Sequence, residues 1–254
     1  LSIRRQRQMC IRDRHNNIRS QFLLALGIPI TRYSKSNFKK FIYMNFGVNY
    51  LDNEHVVDRY MKAISFLNVK NDGKGLDYFI SNDTQVAFDV RQDFIAWSIG
   101  GSKIQKKLST DQISQVCRKI DMPIILLGGE NEKFEAEQVI GNCSGRNIYN
   151  LCGRLSLDQS ALIIKNCMML LSNDTGLMPI GAAFNKNIIS FWGCTKPDMG
   201  FSPYVISSSS IEILSEKSEK QCSKHGDSCR FTKDGCVKLI NSEKIYEAVQ
   251  KFRS

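Results

Sequence analysis

Residues 172–184 read "SNDTGLMPIGAAF", and they directly follow four apolar residues, "MMLL". A chain that leaves an apolar strand through Asn-Asp-Thr-Gly and at once enters an apolar helix predicts a strand–turn–helix unit of a parallel sheet. We expect Asp174 and Thr175 at the cap and first turn of this helix, and we expect Gly176 to let a ligand approach the backbone. The free amides of Thr175, Gly176 and Leu177 would then face outward at the positive end of the helix dipole, as in a phosphate site. The alternative is a capped helix whose aspartate satisfies only its own backbone.

The alternation of strands and helices continues on both sides of this unit. Apolar runs predict strands at 94–100, 123–129, 147–153, 168–173 and 187–193, and capped segments with helical spacing predict helices at 110–120, 132–140 and 156–167. Such alternation indicates a parallel sheet that is covered on both faces. Residues 93–240 are therefore predicted to form one Rossmann-like domain, and 241–254 a C-terminal helix.

The residues before this domain have a less regular pattern. Helices are predicted at 19–28 and 55–67, so residues 15–92 are either a small helical cap or the end of a domain whose beginning is missing. The first fourteen residues, "LSIRRQRQMCIRDR", hold five Arg and one Asp and show no strand or helix periodicity. Because they resemble the translation of a sequencing adapter, we treat residues 1–14 as a non-native segment. The alternative is a basic arm for nucleic acid or membrane lipids.

Composition places the chain among globular proteins of a reducing compartment. It has 254 residues, 42% of them hydrophobic, and its nine cysteines lack a secreted disulfide pattern. No apolar run approaches the roughly 20 residues of a membrane span, and the start lacks the apolar core of a signal peptide. The net charge of +10 falls to +6 without residues 1–14, which suits contact with phosphates or an anionic membrane surface. Nucleic-acid binding is disfavoured because no segment interleaves aromatic and basic residues.

Several motifs are specific when their order and distances are taken together. "NDTGLMPIGAAF" is followed by "NIISFWGCTKPDMGFSPY", and both are preceded by "SIGGSKIQKKLS", "IILLGGENE" and "NIYNLCGRLSLDQSALIIKNC". "HNNIRS" and "HVVDRYMKAI" occur earlier in the chain. Together these segments resemble glycosyltransferase family nine, the heptosyltransferases of lipopolysaccharide core synthesis.

The resemblance implies an α/β fold of the glycosyltransferase B type, with two facing Rossmann-like domains, the first incomplete here, and the active site in the cleft between them. The second domain would hold a nucleotide-activated sugar, typically ADP-heptose, and residues 15–92 would belong to the domain that holds the lipopolysaccharide inner-core acceptor. An acceptor hydroxyl would attack the anomeric carbon with inversion of configuration, without a bound metal or cofactor. Such an enzyme is expected in the cytoplasm, with peripheral contact at the inner membrane as an open alternative.

The resemblance also assigns residues to donor binding. Asp174 and its neighbours would bind the diphosphate or the attached sugar, and Lys106 would pair with phosphate oxygens, whereas without the family Lys106 reads as a solvated lysine beside Lys107. Either Glu130 or Glu132 would accept from ribose hydroxyls, and spacing leaves this choice open. The expected donor-binding residues are Ser98, Gly100, Gly101, Lys106, Glu130, Glu132, Asp174, Thr175, Gly176 and Leu177.

Two departures from the family pattern bear on activity. The family usually has histidine where this chain has Pro179, so one contact to phosphate or sugar is lost, although proline is tolerated in a first helical turn. The family also begins with a strand and a glycine-containing turn that supply a carboxylate base. That segment precedes "HNNIRS", so we expect a chain truncated at its amino end. The alternative function is therefore a catalytically inactive nucleotide-sugar-binding fragment.

Acceptor binding is assigned to one predicted helix. His55, Asp58 and Arg59 lie on it, and His55 and Arg59 share a face because they are four residues apart. These side chains could meet the acidic sugars of the acceptor. The alternative is an ordinary solvated helix face.

A cysteine-rich segment lies near the end of the predicted domain. Cys222, Cys229 and Cys236 are spaced seven apart with His225 between the first two, a set that could ligate zinc. No pair has the short C-x₂₋₄-C spacing of most zinc sites. We therefore expect free thiols in a surface loop and no metal ligands.

Overall fold

The computed structural model describes residues 11–13, 30–32, 37–51, 54–87, 92–217, 221–223 and 225–253. Within them the strands are β1 (Ile11–Asp13), β2 (Ile30–Arg32), β3 (Ile95–Ser98), β4 (Ile124–Leu127), β5 (Ile148–Asn150), β6 (Met169–Asn173), β7 (Asn187–Trp192) and β8 (Ser210–Leu214). The helices are α1 (Asn37–Phe46), α2 (Val56–Lys62), α3 (Thr110–Cys117), α4 (Lys133–Gly141), α5 (Leu157–Asn166), α6 (Leu177–Ala183) and α7 (Ser242–Lys251). Short 3₁₀ turns lie at Ser65–Leu67, Ile104–Lys106, Glu130–Glu132, Pro197–Met199 and Cys236–Leu239.

Strands β3 to β8 form a parallel sheet in the order β5-β4-β3-β6-β7-β8. Strand β3 is central, since Ile95 pairs with Ile124 of β4 on one side and with Met169 of β6 on the other. All residues of β3, β4 and β6 are buried, as expected for strands covered on both faces. The predicted α/β fold with a Rossmann-like parallel sheet is confirmed.

Two apolar layers cover the sheet. Ile95 and Trp97 of β3 point into a cluster that also holds buried residues of α3, α4 and α7. Ala96, between them, points to the opposite face, where buried residues of α5 and α6 pack. This alternation follows from the two-residue period of a strand, and it leaves the strand ends as the place where polar side chains can gather.

Helix starts follow the capping signals of the sequence. Ser109 and Ser156 each accept a hydrogen bond from the backbone N–H three residues on, and the side-chain oxygen of the glutamine at that position accepts one from the serine N–H. These capping boxes place α3 and α5 where the sequence predicted them. The C-terminal helix was also predicted, and α7 starts behind Asn241, whose side chain accepts from Glu243 N.

Several elements differ from the sequence prediction, and helix α1 (Asn37–Phe46) is one that it missed. Strand β8 lies outside the predicted set because it is a short edge strand that follows a run of serines and is only partly buried. The helix predicted at 55–67 ends at Lys62, and a separate 3₁₀ turn follows it. Within the segment 1–14, Ile11–Asp13 pairs in parallel with Ile30–Arg32, although no strand periodicity marks these residues in the sequence. The rest of that segment and the helix predicted at 19–28 lie outside the described residues.

Among the described residues, no helix is both long enough and apolar enough to cross a membrane.

Candidate functional site

The strand order creates a crevice at one edge of the sheet. The chain builds outward from β3 to β4 and β5 on one side, and then returns to place β6, β7 and β8 on the other. The loops that leave β3 and β6 therefore diverge to opposite faces, and ligands of open parallel sheets bind at such a switch point.

A cleft of about 590 Å³ opens at this crevice. The turns after β3, β4 and β6 line it, together with the start of α5. Eight of the ten residues predicted to bind the donor are in its lining: Ser98, Gly100, Gly101, Glu132, Asp174, Thr175, Gly176 and Leu177.

Hydrogen bonds hold the turns after β3 and β6 together. The buried amide of Asn173 donates to the carbonyls of Ile99 and Gly100, at 2.9 Å each. The Thr175 hydroxyl lies 3.2 Å from the hydroxyls of both Ser98 and Ser172. The two turns are thus fixed to each other by side chains at the strand ends, which gives the cleft a preorganised floor.

Helix α6 begins at this floor without a side-chain cap. Its N-cap residue is Gly176, and no side chain accepts from its first amides. A Cβ built at Gly176 would meet no atom within 4 Å, so the backbone there is open to the cleft. The amides of the first turn have no partner within the helix, because helix geometry leaves them unpaired. Pro179 lies within the helix at its start, where its missing N–H costs no helical bond.

Asp174 does not cap α6, contrary to the sequence expectation. Its carboxylate Oδ2 lies 2.6 Å from Lys106 Nζ and accepts a hydrogen bond of 3.0 Å from the Thr195 hydroxyl. The Lys106 side chain is only 12% exposed, so it is not a solvated lysine. Lys106 thus meets the Asp174 turn in a partly buried ion pair, although Lys106 is not in the lining of the main cleft.

A second, smaller cleft of about 230 Å³ adjoins the first. The two share Ser102 and Asp174 in their linings. Lys106, Thr195 and His225 also line the smaller cleft. The Lys106–Asp174 pair therefore lies where the two clefts meet, with Asp174 in the lining of both and Lys106 in the lining of the smaller one.

The two candidate glutamates lie in different surroundings. Glu132 is 8% exposed and lines the main cleft, where its Oε2 accepts from Gly129 N at 2.9 Å and its Oε1 pairs with Lys107 Nζ at 3.1 Å. Glu130 has a 70% exposed side chain and pairs only loosely with Lys133, at 3.5 Å. Sequence spacing could not choose between Glu130 and Glu132. The structure distinguishes them, because of the two only Glu132 lines the cleft.

Lys107 belongs to the supporting structure of the cleft. Burial lowers the pKa of its ammonium group, but hydrogen bonds to Glu135 and Glu132 outweigh burial and raise the pKa overall. Lys107 therefore stays charged and holds the Glu132 carboxylate in place through their ion pair.

The three predicted acceptor-binding residues make contacts within the protein. His55 caps α2 by accepting from Val57 N at 3.1 Å, while its Nε2 bonds to the Ser202 carbonyl at 2.8 Å. Arg59 donates to the carbonyl of Met199 at 2.6 Å. Asp58 accepts from the Tyr204 hydroxyl at 3.1 Å. These three side chains join α2 to residues 199–204, and none of them lines either of the two clefts. Acceptor binding by His55, Asp58 and Arg59 stays a prediction.

Comparison with known proteins identifies the family. Residues 7–232 match the sequence model of glycosyltransferase family 9 (heptosyltransferase). The chain belongs to this family. The match begins inside the segment 1–14, so part of that segment falls within the family region.

Relatives of this family 9 chain support the assignment at lower coverage. The lipooligosaccharide heptosyltransferase 2 of Haemophilus ducreyi is 32% identical over 91 residues, which cover 34% of this chain and 26% of that relative. The alignment thus spans about a quarter of that relative's length.

Solved structures share the fold. The family 9 glycosyltransferase of Veillonella parvula aligns with a TM-score of 0.62 at 17% identity, covering 78% of this chain and 60% of that one. The Escherichia coli heptosyltransferase WaaC with ADP aligns with a TM-score of 0.61 at 12% identity, covering 96% of this chain and 72% of that one. Because the sequence identities are this low, these two structures show only that the family 9 chain shares their fold.

Several residues of the site were not predicted. Asn173 and Thr195 hold the cleft together; Asn173 is the last residue of β6, and Thr195 lies in the loop that follows β7. The rule that placed Asp174 would have found Thr195 had it been applied to the end of β7.

The cysteine-rich segment also differs from the expectation. Cys222 and Cys236 are buried and do not lie in an exposed surface loop, and Cys229 is half-buried. Cys194, which directly follows Gly193 at the end of β7, joins them, and the four sulfur atoms lie within 4.8 Å of one another. His225 instead lines the smaller cleft. Sequence spacing could not reveal Cys194, because the fold brings it in from another loop.

Proposed function

We propose that this chain transfers a heptose from a nucleotide-activated donor of the ADP-heptose class to the lipopolysaccharide inner core. The observation that carries the proposal is that Lys106 pairs with Asp174, and Asp174 lines the same cleft as the open backbone at Gly176, at the switch point of the sheet. Membership of the heptosyltransferase family supports the sugar and the acceptor class.

The diphosphate of the donor is proposed to lie against the turn after β6. The amides of Thr175, Gly176 and Leu177 stand at the start of α6, and Gly176 has no side chain to keep a phosphate away. Lys106 supplies the positive charge. In the absence of a ligand Asp174 neutralises that charge, and a bound diphosphate would share or take over the ammonium group.

The nucleoside is proposed to extend toward the end of β4. Glu132 lines this side of the cleft, and its carboxylate already accepts from Gly129 and Lys107. A carboxylate has about four lone-pair positions, so Glu132 retains capacity to accept from the ribose hydroxyls. We therefore propose Glu132, and not the exposed Glu130, as the ribose-binding residue.

The proposed reaction follows from this arrangement. A hydroxyl of the acceptor attacks the anomeric carbon of the heptose from the face opposite the diphosphate, and the bond from that carbon to the diphosphate oxygen breaks. ADP leaves with the bonding electron pair, while a base on the acceptor side takes the hydroxyl proton. Lys106 and the amides at Gly176 stabilise the charge that develops on the leaving diphosphate, without requiring a metal for this step.

The test is a transfer assay with ADP-heptose and a heptose-free core acceptor, read by mass spectrometry of the product. We expect slow transfer by the unmodified chain, and a further loss of about tenfold or more in kcat/KM for Lys106→Met, because a charge-assisted bond contributes roughly 1.5–3 kcal/mol. Lys119→Met is the control, since Lys119 pairs with Glu243 on the exposed surface.

The outcomes of this assay are distinct. Equal loss in the two lysine variants would contradict the role of Lys106. Binding of ADP-heptose without transfer would contradict the proposed activity and support the inactive sugar-binding module.

A further inference from the structure

Four cysteines meet beside the donor cleft. Cys194 follows strand β7, and Cys222, Cys229 and Cys236 come from the segment that leads to α7. Cys236 Sγ lies 3.7 Å from Cys194 Sγ and 3.9 Å from Cys222 Sγ, and all four sulfur atoms lie within 4.8 Å of one another. Cys194, Cys222 and Cys236 are buried.

These distances fit a tetrahedral metal centre. Four thiolates at about 2.3 Å from a central ion stand about 3.8 Å from one another, close to the separations of Cys236 Sγ from Cys194 Sγ and Cys222 Sγ. A disulfide would instead require two sulfur atoms at about 2.05 Å. Ordinary packing of buried thiols gives no reason for four sulfur atoms to point at one centre.

The backbone around the cluster is shaped to bring the sulfur atoms together. A Cβ at Gly193 would lie 2.4 Å from the backbone nitrogen of Val237, so glycine alone lets the two chain segments approach. Cys222 N donates to the carbonyl of Cys194 at 3.0 Å, which joins two of the four residues directly. Phe231 N lies 3.4 Å from Cys229 Sγ and donates to it, as outer-shell donors do to metal-bound thiolates.

We propose that Cys194, Cys222, Cys229 and Cys236 bind one divalent metal ion that prefers thiolates, zinc or iron(II), in a four-thiolate site. Tetrahedral sulfur sites suit both ions, and hard ions such as magnesium prefer oxygen ligands. Since the protein supplies all four ligands, the site leaves no position for substrate, and the ion is structural.

The cysteine cluster lies next to the proposed donor site, which suggests a structural role for the ion there. The segment that carries three of its ligands packs onto the donor site, since a Cβ at Gly226 would lie 2.6 Å from Lys106 Cε and 3.2 Å from Thr195 Cγ2. Thr195 directly follows Cys194 in sequence and donates to Asp174. We infer that the ion holds this segment against Lys106 and Thr195, an inference that rests on the proposed function.

The test begins with the metal content of the full chain. The protein is purified after growth with added zinc or with added iron, and its metals are measured by mass spectrometry. We expect one ion per chain, zinc in the first arm and iron in the second if the site accepts both. A cobalt(II)-loaded sample should show thiolate-to-cobalt charge-transfer absorption. Substoichiometric metal in both arms together with no cobalt–thiolate spectrum would overturn the proposal, and so would two disulfides in the native protein.

Matched variants locate the ion. Cys194→Ser and Cys236→Ser should lose the metal, whereas Cys143→Ser should retain it, because Cys143 is buried outside the cluster and donates to the Ser114 carbonyl as a serine can. Full metal content in Cys194→Ser would contradict the assignment. Should the two cluster variants not fold, the metal content and cobalt spectrum of the unmodified chain still decide.

A binding measurement separates this inference from the proposed function. After removal of the ion with a thiol-reactive mercurial, a chelator and a reductant, we expect the affinity for ADP to fall several-fold and to return when zinc is added back. Unchanged affinity would contradict the role of the ion at the donor site. Failure of the metal-loaded protein to bind ADP would instead contradict the proposed function, while the metal content would still stand.

Discussion

The adjacent residues Lys106 and Lys107 have different partners at the cleft. Lys106 ends a 3₁₀ turn and pairs with Asp174, whereas Lys107 turns the other way to Glu132 and Glu135. Sequence alone gives the two residues the same chemistry. The turn at Ile104–Lys106 separates them, so Lys106 faces the proposed diphosphate position and Lys107 supports the carboxylate of Glu132, the proposed ribose-binding residue.

The two glutamates provide a matched residue-scale prediction. Glu132→Gln should weaken ADP binding roughly tenfold, because an amide loses one charged acceptor for the ribose hydroxyls. Glu130→Gln should leave ADP affinity unchanged, since its side chain is exposed. Titration calorimetry with ADP measures both.

A binding experiment with pyrophosphate, which has no ribose, serves as the control. Its affinity should be the same for Glu132→Gln and for the unmodified chain. If Glu132→Gln weakens ADP and pyrophosphate equally, Glu132 supports the site through Lys107 and does not contact the ribose.

At the scale of elements, two glycines predict opposite effects on stability. Gly193→Ala should lower the free energy of unfolding by roughly 1–3 kcal/mol, because its Cβ would lie 2.4 Å from Val237 N. Gly141→Ala should raise it by about 0.4–1 kcal/mol, since Gly141 ends α4 and a Cβ there would meet nothing within 4 Å. Urea unfolding followed by circular dichroism measures both. Equal and small changes would show that the approach of β7 to residue 237 is not constrained.

The elements also show what the sequence could predict. The strands of the sheet could be predicted because buried parallel strands appear in the sequence as apolar runs. The helices α3 and α5 could be predicted because Ser109 and Ser156 mark their starts. Edge strand β8 was not predicted, because it is only partly buried and its sequence lacks a continuous apolar run. The partner of Asp174 and the approach of Cys194 to Cys236 depend on how loops from different strands meet. A one-dimensional pattern carries no signal for such contacts.

At the scale of the whole molecule, His55 makes stability depend on pH. It connects α2 to residues 202 and 204, and burial lowers its pKa below the ordinary value even though Asp58 lies nearby. Below about pH 6.5 the unfolded chain takes up a proton that the folded chain resists, so the free energy of unfolding should fall as the pH drops through this window. Above it, this contribution is fully present.

A substitution isolates this effect. His55→Asn keeps a good helix N-cap but has no titrating ring. Its unfolding free energy, measured in urea between about pH 5 and 7.5, should depend less on pH than that of the unmodified chain. Identical pH dependence in both proteins would show that His55 does not link folding to protonation.

The central claim is that the switch point of the parallel sheet holds the diphosphate of the donor. A crystal structure of the chain with ADP tests it most directly. We predict the diphosphate between the turn after β3 and the amides at Thr175 and Gly176, with Lys106 Nζ drawn from Asp174 toward a phosphate oxygen. ADP bound elsewhere on the protein, with the Lys106–Asp174 pair intact, would contradict the account.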